Sequence, residues 1–371
     1  MSQDIATTSD LRTVDDIIRK NHLVPCPREK YATNPLPAPS FDSELNYDGD
    51  NLALGVESMR RHMTDEGAQI MDGLGDAGYI LCGKGYLLEP STDVEHLIRE
   101  YVPSTLIIQD KREWDTNRKG FKDDKARFKN VDQMKHYPGV FRLTILKDAH
   151  QRQTYHADAA MEMGCHAWVT YYHPRIVSHL APYVRPEHLI RTYHTVNIND
   201  VPKYRPASKR KNLALLSGAS GAAYPLRTRL LASCTIGEMP NAGVLPHPGY
   251  HARGSNTPEF LRVLSRFKVA ICTSSVYGYA LRKIIEATAC GCRVITDLPT
   301  DDVLPFIDGN LTRVPPSISP REVDALASEL CESYDDATQA DHASFARWYD
   351  HLLSGKRLAS DIVILRRSYI F

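Results

Sequence analysis

The chain has 371 residues, 42% apolar and 24% charged, with 45 basic and 45 acidic side chains and a formal net charge of zero. That length exceeds what one hydrophobic core ordinarily serves, so two domains are expected. The neutral balance argues against a surface built as a whole for nucleic acid or anionic membrane, while leaving room for a local basic patch.

The first residues, MSQDIATTSDLRTVDD, have neither the basic start nor the apolar stretch of a signal peptide. No run approaches the ~18 apolar residues of a membrane span, so an intracellular, cytoplasmic address is expected. Residues 1–45 include VPCPREKYATNPLPAPS, rich in proline and polar residues, and read as an extended arm. The eight cysteines are scattered; only Cys290 and Cys292 are close, and no second pair completes a zinc site, so buried free thiols are expected.

From residue 46 the pattern alternates. GLGDAGYILCG offers a helix end and a strand, DVEHLIREYV a helix, and PSTLIIQD a buried strand. A charged stretch over 111–135 interrupts, with Trp114, Phe121 and Phe128 among its lysines and arginines. It reads as a solvated loop and helix, or as a grip on a nucleic-acid backbone. FRLTILKDAH is a strand, HADAAMEMG a helix closed by Gly164, HAWVTYY a strand, PRIVSHLAPYV a helix and LIRTYHTVN a strand. PKYRPASKRK, at 202–211, has no periodicity and reads as an interdomain linker. A second alternating series follows: NLALLSGAS, YPLRTRLLASC, AGVLPHPGY, TPEFLRVLSRF, KVAICTSS, ALRKIIEATACG, RVITDLP, LTRVPPS and REVDALASELCESY. Such alternation predicts parallel sheets with crossover helices. The expected architecture is α/β: a Rossmann-like domain over 46–205, completed by a C-terminal helix over 345–371, and a second over 206–344, their sheets facing a central cleft.

Three stretches of the second series carry chemistry. In SSVYGYALRKIIEATACG, the loop Ser275–Tyr277–Gly278–Tyr279 enters a helix whose N-terminal N–H groups attract phosphate. Arg282 and Lys283 add charge in its first turn, and Glu286 shares their face. A carboxylate there can accept two ribose hydroxyls; the alternative is a salt-bridged surface helix. LLSGASGAAYPLR places Gly218 and Gly221 where backbone can approach a ligand, with a helix starting at about Tyr224 and Arg227 in its first turn. It is neither a P-loop nor the dinucleotide fingerprint. In LPHPGYHARG, His247 or Tyr250 can stack on a base, or the prolines simply shape a turn. TDD at 300–302 reads as a helix start or a turn, not as a metal site.

SSVYGYALRKIIEATACGCRVITDLP resembles the donor-binding signature of retaining, family-four glycosyltransferases of the GT-B fold. The run Glu-Ala-x-Ala-x-Gly falls on Glu286, Ala287, Ala289 and Gly291. LLSGASGAAYPLR and HTVNINDVPKYRP resemble neighbouring segments of the same family, so the likeness covers about 140–330. It implies that Glu286 holds the ribose, that Arg282, Lys283 and Arg227 are candidates for the diphosphate, and that Ser275 to Tyr279 face the sugar. The family's pattern often has a second Glu eight positions earlier, where this chain has Gly278. The resemblance also implies a histidine of the first domain at the donor sugar. His150, at the end of FRLTILKDAH, is the candidate, with Asp148 orienting it or meeting the acceptor; His156, His173 and His194 are the next in line. The expected activity is metal-independent, cofactor-free transfer of a hexose or pentose from a nucleotide sugar such as a UDP-sugar. The acceptor is left open, with modified DNA among its candidates. A nucleotide-sugar epimerase and a non-catalytic binding protein are the rival readings.

Overall fold

A computed structural model describes residues 51–55, 66–83, 85–86, 93–109, 128–137, 139–147, 159–180, 186–247 and 257–369. These fall into two compact units. One comprises 51–195 and 351–369, the other 196–350. The proline-rich arm and nearly all of the charged stretch lie outside the described residues.

The first unit is built on six parallel strands: β1 (Asn51–Leu54), β2 (Ile80–Cys82), β3 (Thr105–Ile108), β4 (Phe141–Leu146), β5 (Ala167–Thr170) and β6 (Leu189–Arg191). Their order is β2-β1-β3-β4-β5-β6. The strand period of two sends neighbours to opposite faces. Leu52, Leu54, Leu106 and Ile108 join one core with Val94 and Leu97 of α2 (Val94–Tyr101). Ala53, Ile107, Leu143 and Ile145 join the other, with Ile70 and Leu74 of α1 (Glu66–Asp76) and Leu358 and Ile362 of α8 (His351–Ser368). Burial on both faces explains why these strands read as unbroken apolar runs.

Two local expectations change, and one element is new. β1 has four residues without alternation, which carry little signal in the sequence. PRIVSHLAPYV does not form the expected α-helix: Pro174–Leu180 is 3₁₀, broken at Val177 (φ −107°, ψ 15°), whose side chain is drawn into the core. The C-terminal helix begins at His351 instead of 345. A helix over Asp336–Phe345 and a 3₁₀ turn over Ala346–Tyr349 precede it, and Asp350 leaves helical geometry to accept the N–H of Ile198 at 3.1 Å.

At the amino edge of this sheet, Arg142 is buried and donates to the carbonyls of Met134 (3.1 Å) and Gly164 (2.8 Å). Its own N–H donates to Nδ1 of His166 at 3.0 Å. That ring stacks on Phe141, and its carbonyl takes the Tyr369 hydroxyl at 2.8 Å. Burial, then Arg142 and His188, pull the imidazole down to about 4. An unfolded histidine titrates near 6.5. Between these values the unfolded chain binds a proton that the folded one refuses, so stability must fall as pH drops from about 6.5 towards 4 and level off below. The ring is only half buried, so screening leaves a loss of about 1 kcal/mol. Chemical denaturation at pH 7 and pH 5 checks this; His166→Gln should flatten the difference, and an unchanged slope would remove His166 as its source.

The second unit repeats the plan with β7 (Lys211–Ser217), β8 (Ala242–Leu245), β9 (Phe267–Ile271), β10 (Arg293–Thr296) and β11 (Leu311–Arg313). All are parallel, in the order β8-β7-β9-β10-β11. Around them run α3 (Pro225–Thr235), α4 (Thr257–Leu264), α5 (Arg282–Ala289), α6 (Pro320–Glu332) and α7 (Asp336–Phe345). Leu216, Val269, Ile271 and Ile295 of the sheet pack on Leu226 and Leu230 of α3 and Val323 and Ala327 of α6. Serine 319 caps α6 in a reciprocal box with Glu322, and Pro320 fits its first turn. The TDD stretch forms a turn.

Candidate functional site

In the second sheet, the chain leaves β7 for β8 on one side, and leaves β9 for β10 on the other. The carboxyl ends of β7 and β9 therefore flank a switch point, where loops diverge and open α/β sheets bind ligands. The loop after β7 (218–224) contains Gly218 at φ 115° and Gly221 at φ 144°, a region that L side chains avoid. It ends at Tyr224, which gives α3 no side-chain cap. The loop after β9 (272–281) turns through Gly278 at φ 62° and ends at Leu281, which likewise leaves α5 without a side-chain cap. The N–H of Val276 donates to the carbonyl of Ala223 at 2.9 Å and ties the two loops together. Two helix N-termini, each lacking a side-chain cap, thus open at one end of the sheet.

Two cations converge there. Arg227 is buried; it donates Nε to Thr273 Oγ1 (3.0 Å), Nη2 to the Thr273 carbonyl (3.0 Å) and Nη1 to the Ala219 carbonyl (3.1 Å). Its guanidinium lies over the Tyr224 ring at 4.2 Å. Lys283 Nζ donates to Ser217 Oγ at 3.3 Å. A Cβ on Gly218 would lie 2.5 Å from Lys283 Nζ and 2.8 Å from Arg227 Nη1, so both cations reach across the space that this glycine leaves open. Burial, with Arg227 next, pulls the Lys283 ammonium down to about 8. His247 belongs to the same field: burial, then Lys283 and Arg227, lower its pKa. The cluster is a concentration of positive charge that a doubly charged anion would relieve.

Glu286 and Arg282 are turned towards each other. Arg282 Nε and Glu286 Oε1 are 3.0 Å apart, with side chains 10% and 6% exposed. Of the basic residues expected at a diphosphate, Lys283 and Arg227 come together, while Arg282 spends charge on its own helix. Ser275 is buried; its Oγ accepts the Tyr277 N–H at 3.2 Å and its carbonyl the Gly278 N–H at 2.8 Å, which makes 275–278 a tight turn. Tyr277 is exposed and Tyr279 buried.

Ser217, Thr273 and Asp297 form no motif of their own in the sequence, yet they shape the site. Ser217 and Thr273 hold the two cations, and Asp297 accepts the Ser274 N–H just after β10. Their signal was positional: each follows or ends an apolar strand. Asp148, His150, His156 and Tyr250 lie outside the described residues. At the carboxyl edge of the first sheet, His194 Nδ1 pairs with Glu66 at the start of α1, and its ring stacks on Tyr171 with centroids 5.1 Å apart. His173 accepts the Arg175 N–H and shapes the turn after β5. Among the described residues no group of three or more His, Cys, Asp or Glu side chains could hold a metal ion, and no helix is long and apolar enough to cross a membrane.

No family model matches the sequence, and no curated protein matches it. Solved structures do match in shape. An alpha-glucosyltransferase in complex with UDP-glucose and DNA containing an abasic site is 10% identical, covering 85% of this chain and 99% of its own, with a TM-score of 0.50. A glycosyltransferase from Rickettsia africae ESF-5 is 9% identical, with 86% and 100% covered and a TM-score of 0.51. Anabaena Alr3699/HepE in complex with UDP is 11% identical, with the same coverage and a TM-score of 0.50. With two parallel α/β sheets in the chain and this likeness over nearly the whole length of each neighbour, the protein has the GT-B glycosyltransferase fold.

Proposed function

We infer that this protein transfers a sugar from a nucleoside-diphosphate sugar, in the first instance a UDP-sugar, to an acceptor hydroxyl. The observation that carries the reading is the meeting of Lys283 and Arg227 over Gly218, beside the uncapped N-termini of α3 and α5. Glycosyl transfer builds negative charge on the departing diphosphate as the glycosidic bond breaks. Fixed cations and helix N–H groups stabilise that charge more in the transition state than in the ground state. They supply the neutralisation that transfer without a metal would require. Glu286 is assigned to the ribose hydroxyls, with Arg282 fixing its rotamer. The Glu-Ala-x-Ala-x-Gly run supports a retaining, family-four mechanism. Asp148 and His150 remain the proposed groups at the sugar and acceptor. A hydroxyl on a modified nucleic-acid base is the first acceptor to test, because one neighbour of the same fold was solved with both UDP-glucose and DNA.

Calorimetric titration with UDP and a panel of UDP-sugars tests the donor half. Wild-type protein should bind UDP, and Glu286→Gln, which keeps the volume of the side chain, should bind about tenfold more weakly through loss of charge-assisted hydrogen bonds. Equal affinities would take Glu286 out of the ribose site. Product analysis with and without acceptor separates transfer from epimerisation, which needs no second substrate. Tight UDP binding without turnover over a broad acceptor panel would favour the binding-protein reading.

A further inference from the structure

The stretch read as a linker, PKYRPASKRK, lies across the opposite end of the second sheet from the candidate donor site. Arg210 is buried and staples it there: Nη1 donates to the Phe267 carbonyl at 2.9 Å, Nη2 to the Cys290 carbonyl at 2.8 Å and Nε to the Arg205 carbonyl at 2.7 Å. Phe267 starts β9, and Cys290 lies just before β10, so the stretch is bound to the amino edge of the sheet. The Lys211 N–H then donates to the Arg266 carbonyl at 2.7 Å, which brings the end of α4 alongside.

The inward turn of Arg210 leaves its neighbours facing out. Lys203, Arg205, Lys209, Lys211, Arg262 and Arg266 are all exposed. Among the described residues none of the six is in an ion pair. Asp200 and Glu259 flank the group without pairing with it. The Asp336 carboxylate is taken by the Tyr204 hydroxyl (3.0 Å) and the Ala207 N–H (2.8 Å). Ser208 and Asn212 add exposed donors between the cations. Six exposed cations on two adjoining segments outnumber the carboxylates of Asp200, Glu259 and Asp336 beside them, so in a chain of zero net charge this edge carries a local positive excess.

We propose that this basic amino edge of the second sheet is a docking surface for the sugar-phosphate backbone of a nucleic acid. Side chains of this kind, long cations interleaved with Ser and Asn donors, make the sequence-independent contacts that hold a protein on a duplex. A membrane fits less well, since interfacial binding needs a buried apolar face beside the charge. Among the described residues the exposed large apolar side chain at this edge is Ile236, at the end of α3. The surface stands independently of the donor reading: β7 separates it from Lys283 by about 20 Å, the span of a seven-residue strand.

Fluorescence anisotropy with a labelled 20-base-pair duplex tests the proposal on the full chain. Binding should weaken with salt with a log–log slope of about −3 to −4, the value for roughly four phosphates neutralised. The triple variant Lys209→Ala, Lys211→Ala, Arg266→Ala should lose more than tenfold in affinity and flatten the slope, while binding UDP as the wild type does. Equal duplex binding by wild type and variant, no duplex binding at 50 mM salt, or binding to phosphatidylserine vesicles in place of the duplex would overturn it. So would loss of UDP binding in the triple variant. Failure of the wild type to bind UDP, with the duplex result intact, would sink the donor reading alone.

Discussion

Lys283→Ala should weaken UDP binding about thirty-fold, a loss of about 2 kcal/mol, the usual worth of a hydrogen bond to a charged group. The ammonium sits on the first turn of α5, donates to Ser217 and reaches over Gly218 towards Arg227. Removing it halves the converging charge and leaves the buried Ser217 with a neutral hydroxyl that can rotate to another acceptor, so the thermal midpoint should stay within a few degrees. The pH dependence is a sharper signature. Because burial and Arg227 bring Lys283 down to about 8, the empty site loses its proton as pH rises through that value. A diphosphate favours the charged form, so UDP affinity should decline above about pH 8 as binding comes to require proton uptake. Lys283→Arg should keep affinity and abolish the decline, because a guanidinium stays charged. Calorimetry from pH 7 to 9.5 distinguishes these outcomes. A flat profile in the wild type, or an unaltered affinity in Lys283→Ala, would place the diphosphate elsewhere.

The largest effect on stability is expected from Gly355→Val. Here α1 and α8 cross with backbone against backbone. A Cβ on Gly355 would lie 2.1 Å from the carbonyl carbon of Gly73, and one on Gly73 would lie 2.4 Å from the His351 carbonyl oxygen. No rotamer relieves a clash with main chain, so the helices must part and open the core made by Ile70, Leu74, Leu358 and Ile362. The cost should exceed about 3 kcal/mol, the upper end of ordinary overpacking. Alanine at either position should also destabilise, against its intrinsic helix preference of about 1 kcal/mol over glycine. Gly75→Ala is the control, since its Cβ would meet only the movable end of Leu81 at 3.1 Å. Urea denaturation of the four variants reads the difference; a mild Gly355→Val would mean that the crossing is looser than its backbone contacts imply.

Glu286 shows how the tertiary setting alters what a substitution means. Helical spacing allowed both Arg282 and Lys283 as partners. The fold buries Arg282 with Glu286, so Glu286→Ala would take its ion-pair carboxylate from a buried guanidinium and perturb folding as well as binding. The conservative Glu286→Gln is the informative change for this reason.

Much of the second unit was legible because its strands are short apolar runs bounded by small-residue loops, and its helices have a clear apolar face. The loops after β7 and β9 were recognisable from Gly218, Gly221 and the Ser-Tyr-Gly stretch before α5. The first unit was harder. β1 is four residues long, the 3₁₀ segment at Pro174–Leu180 has the composition of a helix, and the C-terminal helix starts only after Asp350 has turned the chain. Such breaks come from contacts distant in sequence, such as Tyr349 to Pro305 and Asp350 to Ile198, which leave no periodic trace.

What the sequence determined by itself was the alternation of strand and helix, because periodicity and apolar runs are local properties that each segment carries wherever it sits. Which cations meet is another matter. Arg227 and Lys283 are 56 residues apart and belong to different helices; only the adjacency of β7 and β9, and a glycine with no side chain between them, brings their charges to one point. The same holds for the basic edge, where a stretch that reads as a linker becomes a surface because one buried arginine binds it to the carbonyl that begins β9 and to the one that closes α5.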